Sequence, residues 1–372
     1  MKIHLVNCVI ILTCCFLPLK VFAADEGAHA ADFLSHGVGA RALGMGSAFV
    51  AIADDATATY WNPAGLTKVK KHSFSTMYSD TFRTGDGGFL SQGLVSYNFV
   101  NYVHQIEEIG SIGLSWIRLG IDDIPRTTFI DIDNNGRLGD YQDKNGNGVK
   151  DDGEPYIDRP TVADYFSNTD NALLISYARQ IHSIVAVGGN LKLLSQSIYD
   201  YTGRGFGIDI GFILSPYKGL RIGTLLLDAT GTQIRWDTAD NPAFTRGRRL
   251  RFGSAYQFTF TSFGKGSIGL DFETDQGDLE ANTENETNSN NDNSDHSENE
   301  DTTVSGGGIL LRIGAEYILF DTLALRCGWN GHGISIGSGV KLRVSSMTFF
   351  VDYAFNTHTL GGSQRISVSG QF

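Results

Sequence analysis

Cysteine is nearly absent from this chain, proline is scarce, and after the first twenty-odd residues no long apolar run occurs. Of 4 cysteines in 372 residues, Cys8, Cys14 and Cys15 fall at the extreme N-terminus, leaving Cys327. One cysteine cannot form a disulfide framework within one copy. It lies in the apolar run Leu323 to Trp329 and reads as a small wall or lipid-facing hydrophobe. Positive charge is also short: 29 Lys and Arg face 41 Asp and Glu, a formal charge of -12. Such a balance excludes nucleic acid as a partner. With no later stretch near the roughly 20 apolar residues of a spanning helix, a helical membrane protein is excluded too. The histidines His29, His36, His72, His104, His182, His296, His332 and His358 sit in no nucleophile motif, and the chain does not read as an enzyme.

What is present begins with an export address. Lys2 gives a positive start, Leu5 to Leu19 an apolar core, and Val21-Phe22-Ala23 a small-residue cleavage site. Residues 1–23 are therefore expected to leave as a signal peptide. Thr13 and Cys14 are poor residues to precede a lipidated cysteine. Losing Lys2 and Lys20 takes the formal charge from -12 to -14.

The full sequence holds 45 glycines against 7 prolines, with 23 Phe and 14 Tyr, a composition of strands and turns. Alternation of period two recurs. Phe206, Ile208, Ile210, Phe212 and Leu214 share one parity, opposite Gly207, Asp209 and Gly211. Leu250, Phe252, Tyr256 and Phe258 stand opposite Arg249, Arg251 and Gly253. Ile309, Leu311, Ile313 and Tyr317 oppose Arg312, Gly314 and Glu316. Met347, Phe349, Val351, Tyr353 and Phe355 oppose Thr348, Asp352 and Ala354. A half-buried soluble sheet alternates in the same way. Strands of about 9–11 residues favour a tilted membrane crossing. So do aromatics near strand ends, at Tyr97, Trp116, Tyr199, Tyr201, Trp236 and Trp329.

Fourteen spans qualify: 72–79, 89–99, 111–119, 171–180, 184–197, 205–215, 220–228, 248–258, 266–273, 309–318, 322–329, 334–344, 347–355 and 364–372. The expected fold is all-β, a transmembrane antiparallel barrel over residues 69–372, in contact with outer-membrane lipid. Short links at 215–219 and 345–346 suit the periplasmic side. Loops 120–170 and 274–306 suit the outer face. The last span ends in Phe372, which looks like the signal read by the barrel assembly machinery.

Residues 24–68 do not fit a strand. Glycine and alanine dominate, and such a segment can pack as a plug or hatch within a narrow lumen. Here the run Gly39-Ala40-Arg41-Ala42-Leu43-Gly44-Met45-Gly46-Ser47-Ala48, then Ala53-Asp54-Asp55-Ala56, then Tyr60-Trp61-Asn62-Pro63-Ala64-Gly65-Leu66 resembles the N-terminal signature of the PorV/PorQ family, which is related to FadL-type outer-membrane transport proteins. The resemblance implies a 14-stranded barrel with the N-terminal segment folded inside. FadL-type members pass hydrophobic small molecules. PorV-type members serve type IX secretion and handle secreted cargo proteins. Both readings stay open on the sequence. At the matching positions, Gly44, Gly46 and Gly65 allow close backbone approach. Asn62-Pro63 makes a rigid turn with the Asn capping local amides. Asp54 and Asp55 are expected to accept hydrogen bonds or to pair with lumenal arginines such as Arg249 and Arg251. The Gly-x-Gly is not a dinucleotide fingerprint, since no strand precedes it and no crossover follows.

Two outer segments carry the acids. Asp143, Asn145, Asn147, Asp151 and Glu154 place oxygens at positions 1, 3, 5, 9 and 12 of a calcium loop, with Gly148 at the turn and the Val149 carbonyl at position 7. Asp131, Asp133 and Asn135 repeat its opening in degenerate form, with Asp140 or Asp143 as substitutes for the later acids. Pro155 follows at once and Arg126 to Ile130 reads as extended, so no EF-hand is expected. The expected cofactor is a structural calcium ion. Glu280 to Asp301 has hardly an apolar side chain and too few apolar groups to order itself.

Overall fold

The structure, a computed structural model, describes residues 30–81, 95–146, 148–150, 152–240, 242–261, 264–275, 309–357 and 362–372. The export segment, the acidic stretch 280–301, Asn147 and Asp151 lie outside the described residues. Among the described residues sixteen strands occur: β1 (His72–Thr81), β2 (Val95–Ile106), β3 (Gly110–Ile130), β4 (Arg159–His182), β5 (Val185–Ile198), β6 (Tyr201–Tyr217), β7 (Leu220–Leu227), β8 (Thr232–Trp236), β9 (Ala243–Arg246), β10 (Arg249–Thr261), β11 (Gly264–Asp275), β12 (Ile309–Leu319), β13 (Leu323–Trp329), β14 (Ile334–Val344), β15 (Met347–Asn356) and β16 (Ser363–Gln371). All but β8 and β9 form a closed ring of fourteen antiparallel strands. The seam is β1 with β16, in register from Ser73 opposite Gln371 to Ser79 opposite Arg365.

Period two sets the two faces of this wall. Along β14, Ser335, Gly337 and Gly339 are buried, while Ile334, Ile336, Val340 and Leu342 are exposed. Along β2, Phe99, Asn101 and Val103 point inward, and Val100 and Tyr102 outward. An apolar outer face around a ring without open edges is what a bilayer requires, since every backbone group pairs within the wall.

Three expectations are corrected. A strand pair was missed: β8 and β9 extend the wall outward, β8 pairing with β6 from Gly203–Trp236 to Phe206–Gln233. They continue β7 and β10 beyond an irregular stretch at Asp228–Gly231, which hides the period. The region 120–170 is not all loop, because β3 and β4 pair out to Ile130 and Arg159. The part above Gly120 and Asn168 has no described neighbour in β2 or β5, so it stands as a two-stranded arm. Tyr97, expected at the membrane interface, is instead 1% exposed inside the barrel, because its parity is that of Phe99.

Most of residues 30–69 are buried against the inward face of the ring. Four short helical turns, Asp32–His36, Ala40–Gly44, Ala58–Trp61 and Pro63–Lys68, are separated by bends. Gly46 takes φ 61, which suits glycine. Phe49, Trp61, Met45, Ile52 and Leu66 are among the largest fully buried side chains. The wall meets this segment with inward glycines. A Cβ on Gly314 of β12 would lie 2.1 Å from the Met45 carbonyl oxygen, and one on Gly223 of β7 2.5 Å from that of Val50. On Gly188 of β5 it would lie 2.5 Å from the Ala64 nitrogen.

Candidate functional site

Because backbone lies against backbone, the segment's polar groups must be met by wall side chains. Asp271 of β11 accepts from the Phe49 and Val50 amides at 2.7 and 2.9 Å. Asn356 of β15 donates to the Leu43 carbonyl at 3.0 Å, and Asn190 of β5 to that of Thr59 at 2.8 Å. Asn101 of β2 donates to the Ala56 carbonyl, and Ser367 of β16 accepts from the Ala40 amide. Asn62 is fully buried. Its Oδ1 accepts from the Ala64 amide at 3.2 Å, and its Nδ2 donates to the carbonyls of Val50 and Phe212 at 3.0 and 3.1 Å. Asn62 therefore ties the segment to β6 as well as capping the turn that begins at Pro63.

The remaining motif positions have specific surroundings. Gly44 sits against Gly337 of β14, where a Cβ would meet its Cα at 3.0 Å. Gly46 faces the Trp329 backbone, and Gly65 faces the Ala53 carbonyl. The expected pairing of Asp54 and Asp55 with Arg249 and Arg251 is corrected. Arg41, from the segment itself, contacts Asp54 at 2.7 Å, Asp55 at 2.9 Å and Glu316 of β12 at 2.9 Å. Arg249 and Arg251 instead reach Glu273 of β11 at 3.1 and 2.9 Å. The two arginines leave β10 too far from the Asp pair, which local chain geometry delivers to Arg41. Glu316 also takes Arg326, which pairs with Asp352 at 2.8 Å. A second network gathers Lys192, Thr232, Arg246 and Arg249 around Asp228.

Two cavities of about 250 and 330 Å³ share Arg41, Asp54 and Glu316 in their lining. Lys341 and Asp321 border the first, Lys218 and Lys265 the second. These residues lie at the end of the barrel that carries the short turns. There the Lys341 ammonium, hydrogen-bonded to Asp321 at 3.0 Å, holds the Asp321 carboxyl below the usual range. On the outer wall, a groove of about 780 Å³ runs across β2 to β6. Tyr102, Leu114, Tyr177 and Leu191 flank it, and Gly189 forms its floor.

In the outer arm, one carboxylate oxygen each from Asp131, Asp133 and Asp158 lies within 4.8 Å of the others. Oxygens that ligate calcium at 2.3–2.6 Å stand at most about 5 Å apart, so the spacing fits that ion. The Gly136 amide, bonded to Asp131 at 2.8 Å, lowers that carboxyl's pKa. Asn135 turns to Asp133 and Asp140. Asp158 was missed in the sequence, since it follows the motif and belongs to the returning chain. The second loop is arranged differently. Asp143 accepts from the Gly146 and Gly148 amides, and Glu154, 5% exposed, accepts from the Lys144 amide. Asn145 and Val149 are exposed.

No family pattern matches the chain, and no characterised protein matches it in sequence. Solved structures do match. The toluene transporter TbuX of Ralstonia pickettii is 13% identical over 90% of this chain and 98% of its own, with a TM-score of 0.50. The CymD monoaromatic hydrocarbon channel is 12% identical over 90% and 98%, with a TM-score of 0.49. A Pseudomonas aeruginosa FadL homologue is 10% identical over 88% and 96%, with a TM-score of 0.45. These structures include channels and transporters, and the chain shares with TbuX its barrel fold over 90% of its length. With its closed ring and apolar outer face, the chain is a multi-pass β-barrel suited to a bilayer.

Proposed function

We propose that the protein admits hydrophobic small molecules across the outer membrane, as a FadL-like passive transporter. The observation that carries this reading is the fold match to TbuX, a toluene transporter, over 90% of this chain. The wall groove beside Gly189 adds an apolar surface on which such a solute can collect from the bilayer. Residues 30–68 act as the plug that keeps the lumen from being an open aqueous pore. The expected result is saturable uptake of radiolabelled toluene into vesicles carrying the refolded barrel. Uptake equal to that of empty vesicles overturns the reading.

The second reading is a PorV/PorQ-type scaffold for secreted cargo, and the motif from Gly39 to Leu66 favours it. The fold comparison lends more support to transport. Deletion of the gene separates them: loss of surface proteins supports the scaffold, and slow growth on hydrocarbons with surface proteins intact supports transport.

To the outer arm we assign a structural calcium, held by Asp131, Asp133 and Asp158. Affinity at extracellular sites of this kind is roughly 10⁻⁴–10⁻³ M. Titration of the full chain with millimolar calcium is expected to protect the arm from protease. Protection unchanged by Asp158→Asn removes the assignment.

A further inference from the structure

The sheet sets two histidines opposite each other at the short-turn end of the wall. His72 opens β1 and is the register partner of His104 of β2. His72 exchanges both backbone hydrogen bonds with Phe372, at 3.1 and 3.0 Å, so its pairing with His104 is of the non-hydrogen-bonded kind. Such pairs bring opposed side chains closest, with Cα atoms about 4.5 Å apart. Ser73 and Val103 are buried inside the ring. By parity both imidazoles therefore stand on its outer face, where they are half-buried. Their ring centroids are 4.5 Å apart and their planes differ by 14°. The Phe372 ring, following β16, stacks on His72 at 5.2 Å.

The hydrogen bonds of the pair go to Nδ1. His104 Nδ1 lies 3.1 Å from the Lys71 carbonyl, which only accepts, so that nitrogen carries the hydrogen and Nε2 keeps its lone pair. His72 Nδ1 lies 2.7 Å from the Tyr102 hydroxyl, a group able to accept the hydrogen in the same way. Among the described residues nothing hydrogen-bonds either Nε2. An imidazole whose Nδ1–H is held by a fixed acceptor while Nε2 stays open is the arrangement found at metal-ligating histidines. Among the described residues no other two histidines are strand partners.

We propose that His72 and His104 bind a divalent late transition metal through their Nε2 atoms, with water completing the coordination. A tetrahedral ion with bonds of about 2.0–2.1 Å holds two imidazole nitrogens about 3.3 Å apart. The rings stand near that separation, and tilting them about their side-chain bonds aims both lone pairs at one ion. Imidazole suits copper, nickel and zinc, whereas calcium takes oxygen, and Cu(II) binds tightest of the divalent series. The site is thus separate, in chemistry and in place, from the oxygen cluster of the outer arm. Its ion ties β1 to β2 beside the seam of β1 with β16. It stands whether or not the barrel is a transporter.

The test is Cu(II) binding to the purified full-length barrel in detergent. The protein carries no histidine tag, and millimolar calcium is present to occupy oxygen ligands elsewhere. At one equivalent of copper, the electron paramagnetic resonance spectrum is expected to show two imidazole nitrogens on the ion. His72→Gln and His104→Gln should each leave one nitrogen and weaken binding by more than about tenfold, since even an outer-shell partner is worth that much. His182→Gln, at the exposed end of β4, should change neither. A single nitrogen in the wild-type spectrum overturns the site, and that result decides even if a variant fails to fold. Unchanged binding in folded His104→Gln overturns it as well. A loss in His182→Gln as large as in His104→Gln marks adventitious binding by exposed histidines and overturns it too.

Discussion

The wall and the segment inside it are built on opposite rules. The wall is periodic and pairs its own backbone, so a side chain needs only the correct polarity for its face. The inner segment has no period. Its backbone is held by wall side chains such as Asp271, Asn356 and Asn190, and it is seated against glycines. The wall should therefore tolerate changes of shape and punish changes of polarity, and the contact zone should do the reverse.

The largest effect is expected where the two regions touch. Gly314→Leu drives a side chain into the Met45 carbonyl, and Gly223→Leu does the same at Val50. The obstructing atoms are backbone and cannot rotate away, so about 3 kcal/mol or more should be lost. Heat-modifiable gel mobility after refolding checks this. Assembly at the wild-type level would mean that the segment is loosely seated.

On the lipid face, Val351→Arg changes polarity without touching the segment. A cost of about 2–4 kcal/mol is expected near the bilayer midplane. Urea unfolding in lipid vesicles measures it, and Val351→Leu should be close to neutral.

Third comes Asp271→Ala, which leaves the buried Phe49 and Val50 amides without an acceptor. A loss of about 1–3 kcal/mol is expected. Hydrogen exchange should then rise in residues 45–55 and stay unchanged in the ladder between β14 and β15. A uniform rise would deny that the two regions are separately held.

The smallest effect concerns pH at the short-turn rim. The Asp321 carboxyl is lowered from its model-compound value of 3.8 by its hydrogen bond to Lys341. Its stabilisation is thus full above that value and is lost as pH falls through the lower folded pKa. Asp321 is 38% exposed at its side chain, so solvent and salt weaken the effect. Asp321→Asn should remove this small stabilisation at pH 7 and flatten a small part of the stability-against-pH slope below pH 4, as melting temperatures across that range would show.

The legibility of the sequence follows the same division. The fourteen wall spans could be read because lipid on one side and lumen on the other impose a repeat of two. The reading failed where that repeat breaks, at Asp228–Gly231, and where β3 and β4 leave the membrane and lose their lipid face. Tyr97 was misplaced because an aromatic near a strand end suits the interface on type alone, whereas its side is fixed by parity. For the segment, composition identified tight packing, and the motif identified Asn62 and the Asp pair. Neither could identify Arg41 as the partner of Asp54, or Asp158 as the companion of Asp131 and Asp133.

The chain's own letters determined a barrel, the fourteen strands of its ring and the greasy face of most of them. Those are local properties, set by period and composition over ten residues or fewer. Tertiary structure alone decided which charges meet, and that His104, His72 and Phe372 stack side by side. These residues are separated by up to 300 positions in the chain. Their meeting depends on the register at which the ring closes, and no local pattern encodes that register.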